Sequence, residues 1–267
     1  MQDMVIRKAT TRDLADIRSW LELEYQEAGE GFFCNWNVIE AIHDKDMLHA
    51  LILGSEAVAF VADARKGPDI VAVRPDLRGK GLGRLAAEHA LHSAYDRGNS
   101  VVHIECAPST SIPFWQTMGF TMLAGPDGNR RNTRAYKTLP RKLVTPKGQP
   151  LPYSIKLYPE QRDWNKSTEP LAEITGVGSK VDNILHLPER AILYHPQIEA
   201  NFDSVIGVQV SGQEVFEGKV KRPAAELLGV EMDPCHEYYM DTITCLDEVV
   251  RGADDPPSVE LPARPRY

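Results

Sequence analysis

Positive charge is in short supply: 30 Lys and Arg stand against 38 Asp and Glu, for a formal net charge of −8. Phosphate backbones reward a basic surface, so nucleic acid is not an expected partner. Cysteine is also scarce. Cys34, Cys106, Cys235 and Cys245 fall at spacings that fit neither a zinc site nor a disulfide framework, so no metal is expected and reduced thiols in the cytoplasm are. No apolar run approaches the about 18 residues of a membrane span, and residues 1–8 lack the apolar core of a signal peptide. A membrane partner is therefore not expected either. What remains is ordinary globular composition, with 42% hydrophobic and 25% charged residues over a length of 267, which suits two domains.

Thr10, Thr11, Arg12 and Asp13 form a helix start, and Leu14, Ile17 and Leu21 then recur at helical spacing behind a short strand at Val5 and Ile6. Asn35 or Asn37 is placed to cap a short second helix through Ile42. Residues 48–53 and 57–62 flank Gly54 and Ser55 as a hairpin. Residues 70–73 read as a buried strand that enters a glycine loop and then a helix bearing Leu82, Leu85, Ala86, His89, Ala90 and Ala94 on one face. Gly98 ends that helix, residues 101–106 form the next strand, and Ser111 with Pro113 opens a short helix ending at Gly119. Residues 120–123 and 134–139 complete the sheet. His43, His49, His89 and His92 are expected on the surface, and Cys106 in a buried strand.

Five prolines and glycines between 140 and 152 predict a linker, with a boundary near 145. Beyond it, strands are predicted at 154–158, 191–194, 205–210 and 214–220, with a helix at 223–228, so a β-rich domain spans 146–251. The acidic, proline-rich residues 252–267 predict a flexible tail. No motif in the second domain selects between shaping an acceptor site, holding a partner and forming a homodimer.

The chemistry is carried by Arg78, Gly79, Lys80, Gly81, Leu82, Gly83 and Arg84. Three glycines before a helix let consecutive backbone N–H groups turn inward, and amides at a helix N-terminus bind phosphate. A dinucleotide-binding loop is the rival, since Glu105 ends the following strand. Its third glycine would fall at Arg84, however, and its first comes five residues after Val73 rather than at once. No Gly-Lys-Ser or Gly-Lys-Thr is present for a nucleotide triphosphate loop.

The run from Val73 through Pro75 and Arg78 to Gly83 resembles the GNAT superfamily of N-acetyltransferases, as does Pro113 to Phe120, whose helix ends in Gly119-Phe120 about 35 residues later. The resemblance covers about residues 4–140. It implies an α/β fold with a mixed, splayed central sheet flanked by helices, and acetyl transfer from acetyl-CoA to a primary amine of a small molecule or peptide. It places the CoA pyrophosphate on the amides of residues 78–84. Pantetheine lies strand-like between the strands ending at Val73 and Cys106, with Ala72, Val73, Ser109 and Trp115 among the cofactor-binding residues and the Val73 amide able to stabilise an oxyanion.

Trp115 stands where many members carry a Tyr that protonates the departing thiolate. The general acid is thus unassigned, with Tyr136 as the fallback. An acid of this kind contributes about 10²- to 10⁴-fold, so its loss need not abolish transfer. Asp69, just before the central strand, is the leading general base. Glu105 and His103, on one face of the next strand, come second. Glu24, Tyr25, Phe32, Phe33, Asn35 and Trp36 lie where the family builds its acceptor pocket. The missing tyrosine also admits an alternative, a non-catalytic sensor that binds acyl-CoA.

Overall fold

The computed structural model describes residues 4–64, 67–123, 133–159, 169–198, 204–244 and 250–251. They form two compact units, one of the described residues up to Leu139 together with 233–237, the other of those from Pro140 to Met232 and from Tyr238 to Arg251. The units part at Leu139 rather than at 145, and a turn distant in sequence joins the first. The 252–267 tail lies outside the described residues.

The first unit opens with β1 (Met4–Lys8) and α1 (Thr11–Ala28). Thr10 and Asp13 close a reciprocal capping box, and Arg7 reaches Asp13 through two bonds of 2.6 and 3.1 Å. Ile17, Trp20 and Leu21 turn inward, and the Trp20 indole N–H donates to the Ala57 carbonyl. Helix α2 (Trp36–His43) follows, but neither predicted asparagine caps it: Asn35 occupies the N-cap without a side-chain capping bond. Strands β2 (Leu48–Leu53), β3 (Glu56–Ala64) and β4 (Gly67–Val73) continue an antiparallel sheet in the order β1-β2-β3-β4.

Helix α3 (Leu82–Asp96) crosses to β5 (Val101–Cys106), after which come α4 (Ile112–Thr117), β6 (Thr121–Met122) and β7 (Thr133–Thr138). These last strands make a separate antiparallel sheet, ordered β5-β7-β6. Ala86, Ala87, Ala90 and Ala94 are the buried face of α3, small enough to let the helix lie on both sheets: Val61 packs against Ala86 and Ala90, while Val102 lies with Ala87 and Ala94. Strands β4 and β5 approach at Gly67, where an added Cβ would fall 2.6 Å from a Val102 methyl. They share no ladder, which is the splayed arrangement expected of the sheet.

His49 and His89 are not the surface residues the sequence predicts. Their half-buried rings lie 4.8 Å apart between β2 and α3. Burial lowers both pKa values. His89 and more weakly Lys8 and Arg97 add to this at His49, as His92 does at His89, while Asp63 opposes it at both. A histidine held neutral in the folded chain takes up its proton more readily unfolded, where its pKa is about 6.5. Stability should therefore hold above that value and decline as pH falls through it, levelling only below the folded pKa values. His195 in the second unit is lowered by burial in the same direction. Urea unfolding of the full chain at pH 7.5 and 5.5 checks this, and a His49→Leu/His89→Leu variant should retain only the part due to His195.

The second unit is one curled sheet of β8 (Gln149–Tyr158), β9 (Ala172–Val181), β10 (Ile184–Ile192), β11 (Val205–Val210), β12 (Gln213–Lys219), β13 (Val230–Met232), β14 (Tyr238–Thr244) and β15 (Val250–Arg251). Their order is β13-β14-β10-β9-β8-β11-β12-β15, and α5 (Pro223–Leu228) packs on the core formed with Leu157, Leu187, Ile206 and Phe216. The predicted linker is largely part of this unit. Arg141 and Leu143 bond to Arg190 and Pro188, and Pro150 and Pro152 lie inside β8. The Ser211 amide donates to the Pro152 carbonyl, so the ring nitrogens of both prolines face the β11 side, beyond the last paired residue of β11, where no ladder bond is lost.

Candidate active site

Strand β4 ends at Val73 and the chain turns through a short 3-10 segment, Pro75–Leu77. Arg74 anchors this turn with bonds of 2.8 Å to Glu56 and to Asp76, and its hydrogen bonds hold the Asp76 carboxyl below the usual carboxylate range. Gly79 and Gly81 then adopt φ of +76° and +84°. This left-handed region strains any residue with a Cβ and here aims the chain into α3. Gly81 is the N-cap, and the first helical bond runs from the Leu85 amide to its carbonyl. The amides of Leu82, Gly83 and Arg84 thus precede the first intrahelical donor, the Leu85 N–H, and gather at the positive end of the helix dipole.

The charged side chains of the loop are already engaged elsewhere. Lys80 donates to the Asp76 carbonyl at 3.2 Å, and Arg84 to the Thr117 hydroxyl at 3.4 Å with Glu88 at 3.8 Å. Arg78 donates through Nε to the Val73 carbonyl at 3.0 Å and through a terminal nitrogen to Glu24 at 2.6 Å. What the loop presents at the start of α3 is therefore main chain. An ideal Cβ at Gly79 or Gly81 meets nothing within 4 Å, so backbone conformation requires these glycines and space does not. Gly83 lies against Val73 and Phe114, at 3.5 and 3.9 Å from an ideal Cβ. These features fit a pyrophosphate.

Alternation sorts the remaining candidates by face. Val102, Ile104 and Cys106 turn to the α3 side with Trp115, Phe120 and Ala135. Trp115 is buried there in edge contacts with Phe114 and Phe120, at 4.9 and 5.2 Å. His103 and Glu105 alternate to the other face of β5, and their register partners on β7 are Tyr136 and Arg134. Tyr136 and Trp115 therefore occupy opposite faces of the sheet. Ser109 is exposed in the turn after β5, and Ala72 is buried near the end of β4.

Asp69 lies within β4 instead of before it. Pro68 pairs with Asp63 and Ile70 with Ala62, which leaves Asp69 as the additional residue of a bulge, with an exposed side chain. Two features had no local signal in sequence. His103 Nε2 lies 3.0 Å from Glu237, and Asp233 accepts from the amides of Ser100, Cys235 and Glu237. These partners join β5 to the turn 233–237 within the first unit, across more than a hundred residues of chain. Among the described residues, no three His, Cys, Asp or Glu converge as a metal site, and no helix is long and apolar enough to cross a membrane. Cys34, Cys106 and Cys235 form no disulfide.

A model of the GNAT acetyltransferase family matches residues 14–120. No curated protein matches the chain. Among solved structures, the chain is similar to the PaiA N-acetyltransferase of Thermoplasma acidophilum in complex with coenzyme A, at 16% identity over 51% of this chain and 99% of that one, with a TM-score of 0.41. An acetyltransferase from Thermus thermophilus is similar at 19% identity over 52% and 100%, with a TM-score of 0.41. Ard1 from Thermoplasma volcanium is similar at 17% identity over 51% and 97%, with a TM-score of 0.40.

Proposed function

We propose that the part of the chain around residues 14–120, which a model of the GNAT acetyltransferase family matches, moves an acetyl group from acetyl-CoA directly onto a primary amine. The carrying observation is the loop in which Gly79 and Gly81 turn left-handed and deliver free-standing amides to the start of α3. In the reaction the amine nitrogen bonds to the acetyl carbon, the carbon–sulfur bond breaks, the nitrogen gives its proton to a base and the thiolate leaves. The residues of this chain supply the phosphate cradle at 78–84, the gap between β4 and β5 for pantetheine, and a polar face for proton transfer carrying Glu105, Tyr136 and His103. Acceptors of the class expected are small molecules or peptides, met at the aromatic segment of Tyr25, Phe33 and Trp36. The site of action is the cytoplasm.

Thiol release from acetyl-CoA, measured over polyamines, aminoglycosides, amino acids and lysine peptides, tests this function. A chain that binds acetyl-CoA but turns over with no amine is the acyl-CoA sensor instead. With an active amine, Glu105→Gln should lower the rate at neutral pH by about 10²-fold or more with acetyl-CoA affinity almost unchanged if it is the base, and Asp69→Asn by the same amount if the bulge residue is. Trp115→Tyr should stay within several-fold of the parent, because the indole lies in the core, on the face opposite Tyr136. Loss of turnover in a folded Trp115→Phe variant that still binds acetyl-CoA would give the indole a catalytic role.

A further inference from the structure

Arg78 holds two elements at once. Its Nε is bonded to the carbonyl of Val73, the last residue of β4, which folds the loop back onto the strand it leaves. Its guanidinium also meets Glu24 on α1, 54 residues away in sequence, at 2.6 Å. Glu24 is the sheltered member, with 13% of its side chain exposed against 52% for Arg78. On its other side Glu24 packs against Gly31, where an ideal Cβ would lie 3.4 to 3.5 Å from three Glu24 atoms. Gly31 at φ +120° opens the short helical turn Phe32–Asn35, and the Cys34 thiol donates back to the Gly31 carbonyl at 3.2 Å. That turn sets Phe33 between Tyr25 and Trp36, at ring separations of 5.9 and 6.5 Å.

We propose that Arg78 is a positioning residue which, by gripping Glu24, couples occupancy of the phosphate loop to the 29–36 turn, so that the aromatic surface there is set for an acceptor only once CoA is bound. The inference rests on the loop being the CoA phosphate site. A ligand that fixes the amides of residues 78–84 fixes Arg78, then Glu24, then the turn packed on it. Coupling of this kind is reciprocal, so a segment ordered by CoA must itself contribute to CoA affinity. Arg78 held away from the phosphates by Glu24 would behave oppositely, because releasing it would then tighten binding.

CoA itself is the probe, titrated calorimetrically into the full chain, with hydrogen exchange of residues 29–36 followed with and without it. In the parent, CoA should slow exchange across 29–36. Glu24→Gln should weaken CoA about 5-fold or more and remove that protection, as should Arg78→Gln. The double variant should bind no worse than the weaker single, since the two act as one unit. Circular dichroism of each variant should match the parent. Unchanged or tighter binding by Glu24→Gln, or exchange at 29–36 indifferent to CoA in the parent, overturns the coupling. Failure of the parent to bind CoA is a different result, and overturns the phosphate-loop assignment together with everything built on it.

Discussion

Replacing Gly81 with Glu should abolish the stabilisation that CoA confers on this chain. A ligand at a hundred times its Kd stabilises a native state by about 2.7 kcal/mol, read as a rise in Tm. Two effects of the substitution converge on the same loss. At φ +84° a residue with a Cβ costs about 1–2 kcal/mol, which distorts the loop at the N-cap of α3. The new carboxylate would then compete with the pyrophosphate for the amides of Leu82, Gly83 and Arg84. Gly81→Ala carries the strain without the charge and should weaken CoA less. A folded Glu variant that gains as much from CoA as the parent would place the phosphates elsewhere.

The largest loss of stability should come from Asp63→Ala. Asp63 is 2% exposed at the end of β3 and receives both prongs of Arg97, at 2.8 and 3.0 Å, while Arg97 also bonds Ser93 on α3. Removing Asp63 takes both hydrogen bonds from an Arg97 guanidinium that is 31% exposed, a cost of about 1–3 kcal/mol. The urea midpoint of the full chain measures it, and a shift of under about 1 kcal/mol would mean that water repairs the site. The same substitution withdraws the one carboxylate that favours protonation of His49 and His89, so their acid-sensitive range should extend to lower pH. The site is involved as well. Asp63 fastens the far end of α3, the helix whose near end follows the glycine loop.

The glycine loop was legible because its geometry is local: the glycines, the strand before them and the helix after them lie within one stretch of chain. The same holds for the capping box at Thr10 and for the bounds of α5. The base and acid candidates were less legible, because a strand predicts which residues share a face but not what opposes that face. Tyr136 could be seen as a sheet tyrosine, whereas its lying opposite Trp115 through the sheet required the register of β5 with β7. Asp69 moved from a strand start into a bulge for a similar reason, since pairing with β3 extends β4 back to Gly67. The contacts of Glu24, Asp233 and Glu237 join segments far apart in sequence and have no periodic signature.

In the second unit, β9 was missed because Gly176 and Gly178 resemble turn signals. Both are instead set by close approach: a Cβ at Gly176 would fall 2.6 Å from the Tyr153 hydroxyl, and one at Gly178 would fall 2.8 Å from the His186 carbonyl. Tyr153 lies over its register partner Gly176, filling the space that a side chain would have taken. The histidine pair was misjudged for the converse reason. His49 and His89 carry a polar atom at positions where packing between a strand and a helix asks for bulk, and composition alone assigns such residues to the surface.

The prolines near the start of β8 have a consequence beyond the ladder they spare. Strand β8 runs on past the last paired residue of β11, and there it presents a short open border to whatever chain arrives next. A second molecule adding itself at that border would need amide donors in register, and Pro150 and Pro152 remove two in succession from the side it would approach. Residues that looked like the mark of a linker thus leave that border short of donors for a second copy of this sheet.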